Sequence, residues 1–508
     1  MGINMKNIYC AYYTNSEAIT AYMTKMLHLE DKNIVLEPSA GEGIFIESML
    51  AENRDIEIEA LDMNCEAVNV LKHKFGNRKE VTSIRETDTL FDGLLDIYGM
   101  SGGYYDRIIG NPPYGAWQDY RKRKELKKKY TGYYVKETYS LFLLRCLELL
   151  KNEGILSFII PDTYLFLNMH ESLRKTLLRN AEIQEILIFP SNFFPGLSFG
   201  YSNLSIITLK KTAEEQKALD NDIRVLKGFE RVEELPGILS GHYPDRICIN
   251  FLKQSEIIQN VNARFLLADS EEKVFFHSIG AILGDFADVV TGFYCGDNKR
   301  FIRARGRDVK GANNYEIIQE NQITEKASLD GVTEQGKKFI PYIKGASDIR
   351  YIRKTDNWFV QWDTEALQYY HSNKKARFQN AAFYFRTGIA VPMVKSSVIK
   401  ATLIENRVFD QSIVGIFPKD QKLLYYMLAL LNSDIVCRMI HILNPTANNS
   451  ANYIKQIPFY IPSENDLRKV DHAVADMIQS IYKRDETKMN EIQHRLNKFF
   501  EERYIGTC

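Results

Sequence analysis

The chain of 508 residues is 45% hydrophobic and 26% charged, an ordinary globular composition with enough apolar residues for two or three cores. Lys+Arg and Asp+Glu balance at 65 each, so any nucleic-acid face has to come from local segregation of charge rather than from the whole. Seven cysteines without a CxxC pair exclude a disulfide framework and a zinc ribbon, and no apolar run reaches membrane-spanning length.

The start, "MGINMKNIYCAYYTNSEAIT", lacks the basic–apolar–small order of a secretory signal, which points to a cytoplasmic protein with no membrane partner. "NIVLEPSAGEG" (33–43) then predicts a strand ending in a glycine turn, and "IFIESMLAENR" (44–54) a helix. "IEIEALDMN" (56–64) is a second strand with an acidic end, followed by the helical spacing of "CEAVNVLKHKF" (65–75). "YYDRIIGNPPY" (104–114) is another strand, and "ETYSLFLLRCLELLKNEG" (137–154) a helix. "GILSFIIPDTYL" (154–165), "EIQEILIFP" (182–190) and "SNLSIITLKK" (202–211) continue the strand series.

Strands alternating with helices predict an α/β fold with a doubly wound, mostly parallel sheet, whose ligands bind beyond the carboxyl ends of the strands. From about residue 215 the polar "KKTAEEQKALDNDIRV" (210–225) breaks the rhythm. We expect a first domain over 1–245 and a mixed α+β domain over 246–420 with aromatic segments such as "GFYCGDNKRFI" and "DNWFVQWD". A helical part follows over 421–508. Its closing amphipathic helix carries Val470, Val474, Met477, Ile478 and Ile481 on one face, expected to pack on its own domain; a monomer or weak dimer follows.

The chemistry sits at the predicted strand ends. Glu37, Pro38, Ala40, Gly41 and Gly43 form a turn through which a ligand can approach the backbone. The turn is not GxGxxG and nothing basic follows it, which disfavours a pyrophosphate. A carboxylate beside the turn suits a cationic ligand instead. Asp62 ends the next strand where an acid can accept ribose hydroxyls, and Asp88 in "ETDTLF" can accept from an adenine amine. Each acid alone is more simply a turn or cap residue. As a set they fit a nucleoside carrying an amino acid, S-adenosylmethionine. No metal site is indicated.

"IIGNPPYGAW" (108–117) delivers Asn111 to the same sheet edge. Pro112 and Pro113 have fixed φ and no N–H, so their carbonyls are rigidly aimed. The Asn111 amide oxygen and the Pro112 carbonyl are two acceptors for one exocyclic NH2. They hold the nitrogen lone pair toward a methyl donor, and Tyr114 offers a stacking face worth on the order of 1–3 kcal/mol. The basic run "RKRKELKKK" (121–129) follows directly.

In this order the motifs resemble the amino-methyltransferases, and within them the gamma-class, TaqI-like DNA adenine-N6 methyltransferases of type II restriction–modification systems. The resemblance covers roughly residues 8 to 211. It implies a class I methyltransferase, Rossmann-like fold followed by a target-recognition domain. It also implies S-adenosylmethionine as cofactor and duplex DNA as partner. "YYTNSEAITAYM" resembles the cofactor strap, with Thr14 at its contact position. Asp62 and Met63 resemble the ribose and adenine contacts, and Asp88 the amine acceptor. "FFPGLSFGYSNLSIITLKK" resembles the segment facing the extruded base, which suggests Phe194 as second stacking partner, with Phe193 or Phe199 as substitutes.

Stacking from both sides helps offset the few kcal/mol that extruding a base costs. The basic run then reads as a mobile loop on phosphates, with Lys127, Lys128, Lys129 and Lys136 as contacts. Lys299, Arg300 and Arg303 of "NKRFIRARGR" are candidates in the second domain. Rival readings are another planar nitrogen (cytosine N4, RNA or a protein glutamine) and a DNA-binding specificity protein with a dead fold. The strap begins near residue 12, leaving no room before it for a nuclease; a restriction endonuclease is expected as a separate chain.

Overall fold

The computed structural model describes residues 16–115, 120–193, 203–267, 279–394, 398–443 and 449–506. The chain divides into two compact units, Met1–Leu266 and Leu267–Cys508.

In chain order the first unit runs α1 (Glu17–Met26), β1 (Ile34–Glu37), α2 (Ile44–Glu52), β2 (Glu57–Asp62), α3 (Cys65–Phe75), β3 (Val81–Glu86), α4 (Gly93–Met100) and β4 (Tyr105–Gly110). It continues with α5 (Tyr120–Lys129), α6 (Thr138–Leu149), β5 (Leu150–Pro161), α7 (Glu171–Asn180), β6 (Ala181–Pro190), β7 (Asn203–Lys211), α8 (Glu215–Leu219), β8 (Asp222–Lys227), and, past two short helices, β9 (Cys248–Lys253). The strands form one sheet in the order β3-β2-β1-β4-β5-β7-β6-β8-β9.

β3, β2, β1, β4 and β5 are parallel neighbours. β7 then runs antiparallel between β5 and β6. The order reverses direction at β1, with β2 and β3 on one side and β4 and β5 on the other, the arrangement that opens a ligand crevice at the carboxyl edge. β4 and β5 read as continuous apolar runs because parallel central strands are covered on both faces; Ile108, Ile109, Phe158, Ile159 and Ile160 are fully buried. α6 is buried at every position except Glu148. The helices start on ordinary caps: Ser16 accepts from Ile19, Asn64 from Glu66 and Asp92 from Leu95.

Two expectations change here. The polar stretch after residue 210 does not end the sheet, because β8 alternates an exposed Asp222 with buried Ile223 and Val225 and pairs with β6. β9 pairs with β8 from Cys248 to Lys253, so strands of the first unit extend past residue 245.

The second unit holds a four-stranded sheet in the spatial order Ala287–Thr291, Ile413–Pro418, Gly388–Pro392 and Thr402–Ile404. A five-stranded sheet includes Ile302–Ala304, Trp358–Gln361 and Phe339–Ile343. Its core is aromatic, with Phe293 lying 5.3 to 5.9 Å from the rings of Tyr342, Trp362, Tyr370, Phe378 and Tyr384. Helices Glu464–Lys483 and Glu486–Tyr504 close it, separated at Arg484, whose φ of 59° breaks the expected single helix. Of the expected apolar face Val470, Val474, Met477 and Ile481 are buried, and Ile478 is half-buried. No single helix among the described residues is long and apolar enough to cross a membrane.

Candidate functional site

The parallel strands bring their carboxyl ends to one edge, and the singled-out residues of the first unit fall along it. Glu37 closes β1 and is 1% exposed. One of its carboxylate oxygens, Oε2, has no hydrogen-bond partner among the described residues. Burial, with the Asp62 charge adding to it, holds the Glu37 carboxyl well above the usual range.

The turn after Glu37 is tied down at several points. The Thr89 hydroxyl donates to the Pro38 carbonyl (2.6 Å), the Ala40 N–H to Leu61 (2.8 Å), and the Gly41 N–H to the Asp62 carboxylate (2.8 Å). Gly41 and Gly43 have φ of 53° and 86°, and a Cβ at Gly43 would stand 2.4 Å from the Phe75 ring. Only glycine holds that close approach of turn to α3 without displacing Phe75.

Asp62 is half-buried, and its second oxygen accepts the Asn64 N–H at 2.8 Å. Burial raises its carboxyl above the ordinary value, against the lowering effect of the N–H groups of Asn64, Gly41 and Met63. Met63 follows, half-buried. Asp88 stands after β3; its Oδ1 accepts the Leu90 N–H (3.2 Å) and its Oδ2 the ammonium of Lys122 (3.0 Å).

Asn111 follows β4 directly, half-buried, with its carbonyl accepting the Ser39 hydroxyl at 3.2 Å. That bond joins the proline motif to the glycine turn. Pro112 is buried. Tyr114 is 1% exposed and its hydroxyl donates to the Ile159 carbonyl of β5 at 3.3 Å. Its ring is therefore covered. The Gly115 carbonyl accepts both the N–H and the hydroxyl of Thr138 at the start of α6. Phe193 is half-buried and stacks on Phe189 with centroids 5.2 Å apart. Thr14, Phe194 and Phe199 lie outside the described residues.

The basic run differs from the expected loop. It is helix α5, with Leu126 fully buried and Lys129 paired to Asp96 at 2.7 Å. A buried apolar anchor plus ion pairs to Asp88 and Asp96 order it. Lys127, Lys128 and Lys136 are exposed. In the second unit Lys299 is exposed, whereas Arg300 lies over the rings of Phe301 and Tyr369 and pairs with Glu365. Arg303 is half-buried, pairs with Glu316 at 2.7 Å and donates to the carbonyls of Arg300 and Ile302, so its guanidinium braces its own fold.

Sequence reading missed three groups at this edge. Lys122 was lost within a basic run, and only its long-range pairing with Asp88 distinguishes it. Asp162 follows β5, 4% exposed, with Oδ2 accepting the Asn203 amide at 3.1 Å; burial pushes its carboxyl up to about 7. An acid directly after a continuous apolar strand was the available signal. The third is the buried His170, whose Nε2 contacts Glu137 (2.8 Å) and the Tyr139 hydroxyl (3.2 Å), with that hydroxyl also bonded to Thr163.

Residues 6–194 match the family model of the Eco57I restriction-modification methylase. The chain is 27% identical over 282 residues to the type II methyltransferase M.AccI of Acinetobacter calcoaceticus, covering 53% of this chain and 48% of that protein. It is 23% identical over 475 residues to the type II methyltransferase M.HindII of Haemophilus influenzae, covering 85% of each. The match thus spans about half of the first relative's length and most of the second's.

Two solved structures share the fold over nearly the whole chain. One is a nuclease-deletion mutant of the Type ISP restriction-modification enzyme LlaGI with a DNA substrate mimic (TM-score 0.55, 12% identity, 92% of this chain and 46% of that one). The other is a DrdV–DNA complex (TM-score 0.53, 13% identity, 94% and 58%). At such identity they speak to the fold alone. The likeness to the Eco57I restriction-modification methylase family runs over residues 6–194, within the first unit.

Proposed function

We propose that this protein is a site-specific DNA methyltransferase that moves a methyl group from S-adenosylmethionine to N6 of an adenine extruded from duplex DNA. One observation carries the reading. A buried glutamate with an unpartnered oxygen, a glycine turn and an Asn-Pro-Pro-Tyr segment meet at one sheet edge, joined by the Ser39–Asn111 bond.

The residues fit the cofactor. The Glu37 oxygen is buried without a hydrogen-bond partner among the described residues and its ionisation is opposed by burial, so a cationic amino group would relieve it. Gly41, at φ 53° with its N–H held by Asp62, keeps the backbone of the turn without a side chain at that position. Asp62 and Asp88 are acceptors for ribose hydroxyls and the adenine amine. S-adenosylmethionine, when bound, supplies a methyl group on a positively charged sulfur.

The chain's own part is alignment. Asn111 and the Pro112 carbonyl accept the two N–H bonds of the target amine, which turns its lone pair out of ring conjugation and toward the methyl group. The nitrogen would shed its proton only after the methyl carbon has left the sulfur, which departs as a neutral thioether, so the chain would need no strong base. Tyr114 and an aromatic residue of the 193–199 segment would hold the base between them. Duplex DNA is the partner this reading requires, with α5 and the second unit supplying contacts; a separately encoded restriction endonuclease would complete the system.

Asn111→Ala tests the reading. Methyl transfer from labelled cofactor to DNA is expected to fall by at least about a hundredfold, the scale for losing an aligned electrostatic contact, while cofactor binding stays near wild type. Ordinary turnover in that variant would sink it. Sequencing with modified-base detection, on DNA from cells expressing the chain, identifies the base and its context.

A further inference from the structure

An exposed arginine keeps its charge in water, whereas a half-buried one needs a counter-ion. Among the described residues of the second unit the half-buried arginines are Arg303, Arg350, Arg353, Arg407 and Arg503. Arg303 holds Glu316, Arg407 holds Asp356 and Glu325, and Arg503 holds Asp466. Arg350 and Arg353 have no carboxylate within 4.0 Å among the described residues. Both belong to "KGASDIRYIRK" (344–354), in which Asp348 is the one acid beside two lysines and two arginines.

Neutral groups hold these two side chains in place. Arg353 donates from Nε to the Thr402 hydroxyl (3.2 Å) and from Nη2 to the Gly345 carbonyl (2.9 Å). Arg350 donates from Nη1 to the Asn432 carbonyl (3.1 Å). The planes are oriented, but the charges are not answered. Burial pushes the Arg353 guanidinium down to about 10, with the more distant Asp356 and Asp348 acting the other way. Asp356 is itself engaged by Arg407, and Asp348 is exposed. Between the two arginines stands Tyr351, 1% exposed and at a φ of 71°, an unfavourable backbone conformation for so large a side chain. Its N–H donates to Ala401, its carbonyl accepts from Leu403, and its hydroxyl donates to Gln493. Strain of this kind persists only where the surroundings fix it, and it gathers at places that clamp a ligand.

We propose that Arg350 and Arg353 are the second unit's grip on the sugar-phosphate backbone of duplex DNA. The inference rests on the reading of the protein as a DNA methyltransferase. A phosphate supplies the missing counter-charge, and its oxygens suit the planar fork of donors that a guanidinium presents. Such contacts set the register of the duplex without reading its sequence. Arg300 and Arg303, which the local basic pattern favours for this role, already give their charges to Glu365 and Glu316.

The test measures binding of the full chain to a short DNA duplex of arbitrary sequence across a salt series, with melting midpoints alongside. Arg350→Gln and Arg353→Gln should each flatten the slope of log affinity against log salt by about 0.9, one phosphate contact, and the double variant by about 1.8. Arg353→Lys, which keeps the charge, should restore the wild-type slope. Arg305→Gln, which removes an exposed arginine paired with Glu320, should leave the slope as it is. Arg350→Gln gives up a single carbonyl bond, so it carries the test should Arg353→Gln unfold.

An unchanged slope in Arg350→Gln, or the same flattening in Arg305→Gln, would overturn the proposal. So would a loss confined to one DNA sequence, which would make the arginines base readers. Flattening on single-stranded RNA but not on duplex DNA would assign them another partner, and competition by inorganic phosphate beyond that of sulfate at equal ionic strength would make them a small-anion site; either result sinks the inference. Absence of any duplex binding by wild type would instead refute the DNA reading itself, and this inference with it.

Discussion

The Asp62 carboxylate accepts the Gly41 N–H at 2.8 Å, so the acidic end of β2 and the glycine turn after β1 are mechanically one piece. The same carboxylate takes the Asn64 N–H with its other oxygen. Asp62→Ala removes both acceptors as well as the proposed ribose partner. Hydrogen bonds to a charged group are each worth about 1.5–3 kcal/mol, so cofactor affinity is expected to fall by more than about tenfold. Amide exchange at Gly41 and Asn64 should quicken in the same variant. Unaltered exchange at Gly41 alongside weakened binding would mean that Asp62 acts on the ligand alone and does not brace the turn.

Glu37 sets stability against binding. Its carboxyl is held above the usual range by burial and by Asp62. A group with a raised folded-state value stabilises below its unfolded value, and that contribution is lost as pH rises through the folded one. Above the ordinary carboxylate range the unfolded chain ionises this group freely while the fold resists its ionisation, and Glu37→Gln removes that cost. The variant is expected to melt a few degrees higher at pH 8, since a kcal/mol shifts a domain of this size by about 2–4 °C. It should bind cofactor much less well. In wild type, binding of a cationic amine draws the carboxyl back toward its ionised form and releases a proton, so cofactor affinity should rise with pH over the range in which apo Glu37 titrates. Calorimetry in buffers of different ionisation enthalpy reads that proton directly; zero proton exchange at every pH would contradict the role.

Along α5 the lysines divide into two kinds. Lys127 and Lys128 are exposed, whereas Lys129 is committed to Asp96. Replacing Lys127 and Lys128 together with Ala should lower the salt slope of DNA binding by about 1.8, two phosphate contacts, for all sequences alike. Lys129→Ala should change the slope less than either, and stability by no more than about 1 kcal/mol. Equal slope changes from all three lysines would show that the Asp96 pair opens on DNA.

The strands that frame the site were legible because each is an apolar run stopped by a residue of special backbone chemistry. Leu36 runs into Glu37-Pro38, Ile109 into Gly110-Asn111-Pro112, and Ile160 into Pro161-Asp162. The edge strands were not. Val81–Glu86 places Thr, Ser, Arg and Glu in a strand with no fully buried residue, so no apolar signal marks it. β8 and β9 are six residues each, and polar neighbours hide them. That Glu37, Asp62 and Asn111 stand at strand ends followed from the apolar runs, whereas the order along the edge, Asp88, Asp62, Glu37, Asn111, is set by the β3-β2-β1-β4 topology. What a side chain pairs with did not, because Lys122 and Asp88 are 34 residues apart and meet only through the fold. The same holds for Arg303, whose exposed-looking basic context conceals a bracing role.

Asp162 offers a prediction that needs no ligand. It is 4% exposed, its Oδ2 accepts from the Asn203 amide, and burial pushes it up to about 7 from an ordinary 3.8. The unfolded chain gives up this proton near pH 4, the folded chain only near 7. Stability from this group is therefore full below about pH 4, declines between about 4 and 7, and stays low above. Asp162→Asn keeps an oxygen for the Asn203 amide and carries no charge. It should match wild type most nearly at the acid end and gain on the order of 1–4 kcal/mol by pH 8. Denaturant midpoints of both proteins measured from pH 5 to pH 8 should diverge as pH rises. A constant gap across that range would place the effect in packing, and a loss of stability at pH 8 would show that the ionised carboxylate has a cationic partner.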